Sequence, residues 1–147
     1  MTPSPDTPQG LLDTSTVILL PRIRDPEVLP TEPLICAITL AELSVGPLVA
    51  TSDTERAARQ AHLQQAEADF DPLPFDIAAA RAFGQVAASL RRSGRKDAAR
   101  SYDAMIAAVA IANGLAVYTC NPTDFAGIQG LEVVAIPVPD PDTEAIG

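Results

Sequence analysis

Residues 101–119 read SYDAMIAAVAIANGLAVYT, and this stretch decides the fold class. Ser101 is a good helix N-cap, Asp103 puts a negative charge in the first turn, and the residues after it are mostly small and apolar. Gly114 is a good C′ residue to stop that helix. Leu115-Ala116-Val117-Tyr118-Thr119 then runs on without polar alternation, as a strand buried on both faces does. A helix handing over to such a strand predicts a parallel sheet covered by helices.

The pattern repeats outward from there. Gly10 to Asp13 reads as a first strand, with Thr14 or Ser15 capping a short helix through Leu20. Pro33 to Ala37 is a second apolar run. Thr39-Leu40-Ala41-Glu42 matches a capping box that opens a helix toward Ala50. Asp53 is placed to cap the next helix, over 53–69, which carries Ala57, Ala61 and Ala68. Pro72 to Phe75 is a short extended link, and Asp76 caps a helix to about Arg92. Leu131 to Ile136 is the last strand. The expected organisation is a flexible leader over 1–9, one domain over 10–136, and a flexible acidic tail over 137–147.

Composition narrows the class. Of 147 residues, 47% are apolar and 20% charged, which excludes a disordered chain. Alanine occurs 25 times and aromatics make up only 4%, which suits packed helices better than a β-sandwich. A net charge of −9 argues against a simple charge-driven nucleic-acid binder, although net charge does not say where charges lie. Cys36 and Cys120 form no CxxC pair, so neither a disulfide framework nor a thiolate zinc site is expected. No apolar run approaches the ~20 residues of a membrane span. A cytoplasmic protein without membrane contact is expected.

In parallel sheets ligands bind beyond the carboxyl ends of the strands. Four acids fall there: Asp13 at the end of the first strand, Glu42 in the helix after the second, Asp103 at a helix start, and Asp124 after the strand ending at Thr119. Each has a plain alternative. Glu42 could complete its capping box, Asp103 could complement a helix dipole, Asp13 could cap a helix, and Asp124 could start a turn. Together, at one edge, they favour a site for Mg²⁺ or Mn²⁺, which prefer hard oxygen ligands. Half of the ten basic residues, Arg91, Arg92, Arg95, Lys96 and Arg100, immediately precede Asp103 and would draw a nucleic-acid backbone toward it. For Arg91 and Arg92 the alternative is a solvated helix end. The single histidine, His62, reads as a surface residue far from these positions, which disfavours metal-free acid–base cleavage.

Leu11-Leu12-Asp13-Thr14-Ser15, Ile38-Thr39-Leu40-Ala41-Glu42-Leu43, Asp103-Ala104-Met105-Ile106-Ala107-Ala108 and Thr119-x-Asn121-x-x-Asp124-Phe125 occur in order. Together they resemble the motifs of PIN-domain nucleases. At this size the chain most resembles VapC-type toxins of type II toxin–antitoxin pairs. The resemblance covers about residues 10–136. It implies a PIN-like three-layer α/β/α sandwich around a mostly parallel sheet of four to five strands, and a Mg²⁺- or Mn²⁺-dependent endoribonuclease. It also implies Asp13, Glu42, Asp103 and Asp124 as metal-holding catalytic carboxylates, with Thr14, Ser15, Thr119 and Asn121 supporting them. Implied partners are an RNA substrate such as tRNA or rRNA, a VapB-type antitoxin, and a second copy in a homodimer, with the 39–50 and 53–69 helices as contacts. Cys120 departs from the family pattern, which commonly has a basic residue there. Two other readings stay open: a PIN-like binding module that does not cut, and a phospho-accepting receiver. The receiver fits poorly, because Lys96 is the only lysine and does not follow a late strand.

Overall fold

Strand β1 (Gln9–Leu12) is the second of four parallel strands in the order β2-β1-β3-β4, with β2 at Glu32–Leu34, β3 at Ala116–Thr119 and β4 at Val133–Ala135. The computed structural model describes residues 8–139, so most of the expected leader and acidic tail lie outside the described residues. Leu11 pairs with Leu34 on one side and Val117 on the other, which brings the end of β1 beside the end of β3. Asp13 and Thr119 thereby become neighbours, although 106 positions separate them in sequence.

Among the described residues five α-helices cover the sheet: α1 (Thr14–Leu19), α2 (Ala37–Leu48), α3 (Asp53–Asp69), α4 (Ile77–Arg92) and α5 (Tyr102–Ala112). Consecutive strand residues point to opposite faces, so each face acquires its own core. Leu11 and Val117 pack with Val86 and Leu90 of α4 and Ile106 and Val109 of α5. Leu12 and Tyr118 pack the other way, with Val17 of α1, Leu43 of α2 and Ala66 of α3. The result is the three-layer α/β/α sandwich expected, with four strands. Close approach requires glycine at position 10, where a Cβ would meet the Tyr118 ring at 2.3 Å.

Ser101, Asp76 and Gly114 behave as their local signals indicate: the first two side chains cap α5 and α4, and Gly114 takes φ +66° after α5. Three expected starts are corrected. Asp13, rather than Thr14 or Ser15, caps α1, because its carboxylate accepts from the Thr16 N–H. Ser52, rather than Asp53, caps α3. The Thr39–Glu42 capping box does not form: α2 starts at Ala37 behind Cys36, which is held by a parallel bridge to Leu73. Thr39 is therefore buried inside the helix, and Glu42 is released for another partner. Ala66 is the alanine that α3 buries, and His62 is half-buried rather than solvated.

Candidate active site

Asp13 anchors the site. Only 2% of it is exposed, yet its carboxylate is ringed by donors. Oδ1 accepts from the Thr16 amide at 3.1 Å and the Thr16 hydroxyl at 2.5 Å. Oδ2 accepts from the Thr119 hydroxyl at 2.7 Å and the Ser15 hydroxyl at 3.1 Å. Four donors hold the carboxylate in one orientation.

The supporting residues join two chain segments. The Thr16 hydroxyl oxygen accepts from the Cys120 amide at 3.2 Å, and Thr119 Oγ1 accepts from the Asn121 amide at 2.9 Å. Asn121 Nδ2 donates to Ser15 Oγ at 3.2 Å. The turn after β3 is thus fastened to the start of α1 by side chains. Thr16 is a central member that the sequence motifs do not single out. Its signal is a hydroxyl at i+3 from Asp13, where a helix N-terminus brings side chain and cap together.

Glu42 reaches in from the second turn of α2. Its Oε1 accepts from the Thr14 hydroxyl at 2.8 Å, and that hydroxyl oxygen lies 3.1 Å from the Thr39 hydroxyl. Burial pushes the Glu42 carboxyl up, and the charge of Asp13 adds to the rise against the Thr14 hydrogen bond. Asp103, in the first turn of α5, is pushed up to about 6. Burial is the largest cause, followed by the charges of Asp124, Asp13 and Glu42. Asp124 is exposed in a 3-10 turn over Pro122–Phe125. Asp103 therefore feels the other three carboxylates, although they come from distant parts of the chain.

Positive charge is sparse among them. Arg95 alone is a cation that lowers Asp103, and it only partly offsets the rise. Its guanidinium also donates to the Ala126 carbonyl, so Arg95 ties the loop after Asp124 rather than standing free as an RNA contact. Arg91 and Arg92 are exposed at the last turn of α4, and Lys96 and Arg100 are exposed beyond it.

This donor set is all oxygen, anionic and lacking a neutralising ion pair among the described residues, which fits a hard divalent cation. No group of three or more acidic, histidine or cysteine side chains is drawn together as a formed metal cage among the described residues. Cys120 is buried beside Thr16, and burial raises its thiol further from ionisation.

The chain matches the PIN domain family over residues 11–130. It is 40% identical to Ribonuclease VapC5 of Mycobacterium tuberculosis over 129 residues, covering 86% of this chain and 93% of that protein. With Ribonuclease VapC4 of the same organism it shares 35% identity over 102 residues, 69% of this chain and 75% of that one. Among solved structures, a VapBC-5 toxin–antitoxin structure from Mycobacterium tuberculosis aligns with a TM-score of 0.72 at 35% identity, covering 87% of this chain and 98% of that chain. A DNA-bound VapBC from Salmonella typhimurium aligns with a TM-score of 0.69 at 28% identity, covering 86% and 96%. On fold, motif order and likeness together, this chain belongs to the PIN-domain family, within its VapC group.

Proposed function

We propose that this protein is the toxin of a VapBC-type pair, an endoribonuclease that hydrolyses RNA phosphodiester bonds with the help of Mg²⁺ or Mn²⁺. The observation that carries the reading is the buried Asp13 carboxylate at the end of β1, held by Thr16, Thr119 and Ser15, with Glu42 held by Thr14; the upward push on Asp103 to about 6 agrees with it. Like charge gathered at one edge costs folding free energy, and a divalent cation is the ordinary compensation. The ribonuclease names of its relatives support the substrate class.

Asp13, Glu42, Asp103 and Asp124 would hold the cation, which supplies water activation and charge stabilisation for phosphoryl displacement. The chain's own groups do the positioning. Thr16, Thr119 and Ser15 keep the Asp13 carboxylate oriented, and Thr14 does the same for Glu42. Asn121, fastened to Ser15, fixes the turn that carries Asp124. Holding these oxygens before substrate arrives avoids reorganisation during the reaction. Arg91, Arg92, Lys96 and Arg100, exposed at and beyond the end of α4, would offer phosphate contacts.

A VapB-type antitoxin and a second copy of the chain are the proposed protein partners. The end of α2 supplies apolar surface for one of them: Leu48 is 86% exposed and Val49 60%. No helix among the described residues is long and apolar enough to cross a membrane, and we place the protein in the cytoplasm.

Incubating the protein with labelled RNA, with Mg²⁺ or with EDTA, tests the reading. Discrete cleavage with Mg²⁺, lost with EDTA and in Asp103→Asn, is expected. Wild-type protein that binds RNA but leaves it intact would establish a silent binding module instead.

A further inference from the structure

Apart from the carboxylates, a hollow of about 470 Å³ with mixed polar and apolar walls opens between α4 and the loop that leaves Asp124. It is lined by Gly84, Gln85, Ala88 and Arg92 from the helix and by Gln129 and Gly130 from the loop. Its volume lies within the roughly 300–1,000 Å³ of small-ligand sites. No acidic side chain lines it, in contrast to the carboxylate site.

Gly84 is the telling residue. It lies in the interior of a sixteen-residue helix, where glycine is unfavourable relative to alanine. A Cβ at this position would meet nothing within 4 Å, so internal packing does not demand the glycine. Across the hollow, a Cβ on Gly130 would also meet nothing within 4 Å, and its φ of +84° favours glycine. Two stretches of bare backbone therefore face one space, with an arginine and two glutamines around it.

The walls are held in place. Gln129 N donates to Ser89 Oγ of α4 at 3.4 Å, and Arg95 ties the Ala126 carbonyl. Gly127 lies against Ser93 so closely that a Cβ would approach Ser93 Oγ to 2.4 Å. The loop carrying Asp124 and the helix carrying Arg92 are thus one fastened unit.

We propose that the hollow binds an unpaired nucleotide of the RNA. This inference rests on the nuclease reading above. The Arg92 guanidinium takes the phosphate, for which its planar fork is suited. The bare backbone of Gly84 and Gly130 accepts the flat base, and the Gln85 and Gln129 amides, each both donor and acceptor, bond its edge.

The test uses the full chain and a fluorescently labelled mixed-sequence single-stranded RNA, with binding followed by anisotropy in EDTA over a salt series. Arg92→Gln should bind about tenfold more weakly, the value of one charge-assisted contact, with a salt slope smaller by about 0.7. Gly84→Ala should raise Tm by about 3 °C through helix propensity and yet weaken RNA binding at least threefold. Opposite movement of stability and affinity in one variant is not expected of a purely structural glycine. Wild-type affinity in both variants, or no RNA binding by the wild type in EDTA, would overturn the hollow. If the wild type still cleaves RNA with Mg²⁺ in that case, the nuclease reading stands by itself. Absence of wild-type cleavage with binding lost in both variants would fail the nuclease reading while keeping the nucleotide site. Weakened binding of a VapB-type antitoxin by both variants, with RNA binding unchanged, would reassign the hollow to a protein partner.

Discussion

Removing the charge of Asp103 should stabilise the metal-free protein. The folded carboxyl titrates at about 6 against an ordinary 3.8. At 1.36 kcal/mol per pH unit, that gap corresponds to an upper limit of about 3 kcal/mol. The group is only partly buried, and solvent screening reduces the effect to about 1–2 kcal/mol. Losing a negative charge from the first turn of α5 opposes this by about 0.3–1 kcal/mol.

Direction follows from linkage. A carboxyl whose pKa is raised by folding binds its proton more tightly in the folded state. Its contribution to stability is fully present below 3.8 and is lost as pH rises through about 6. Asp103→Asn lacks this dependence, so its advantage should be near zero at pH 4 and reach about 0.5–1.5 kcal/mol at pH 7. Urea unfolding in EDTA across that pH range measures it. Excess Mg²⁺ should stabilise the wild type more than the variant, because a ligand that binds the folded state adds to its stability. A variant less stable than wild type at pH 7 in EDTA, or an advantage independent of pH, would refute the like-charge account.

Thr16→Val removes a hydroxyl from Asp13 and strands the Cys120 amide, and should cost about 1–3 kcal/mol in unfolding free energy. Thr16→Ser should restore most of both stability and cleavage rate. Ile106→Ala empties a fully buried position in the α4–α5 core, and calorimetry should show a loss of about 2–5 kcal/mol. Gly10→Ala would drive a methyl into the Tyr118 ring, and denaturant melts should show about 1–3 kcal/mol of destabilisation. Ser101→Ala removes the side chain that caps α5, and a loss of about 1 kcal/mol is expected by the same measurement.

Local interactions were legible in the linear chain. The caps at Asp76 and Ser101, the glycine after α5 and the apolar run of β3 involve partners within a few residues, so composition and spacing reveal them. The four carboxylates were legible as positions at one sheet edge, because parallel βα units send each strand's carboxyl end the same way. Their placement as catalytic ligands remains the function proposed above.

Contacts across the fold depended on register and on where each helix begins. Thr39 and Glu42 carry a capping-box pattern, yet the Cys36–Leu73 bridge starts α2 earlier and turns Glu42 toward Thr14. Arg95 reads as one cation in a basic run, but the folded loop gives it the Ala126 carbonyl. Thr16 attracts no notice until β1 pairs with β3 and brings the Cys120 amide within 3.2 Å. Sequence by itself determined the α/β alternation and the acidic edge, since both follow from short-range periodicity. Only the tertiary structure decided which hydroxyls orient Asp13 and how far Asp103 is pushed, because hydrogen bonding and burial depend on groups far apart in the chain.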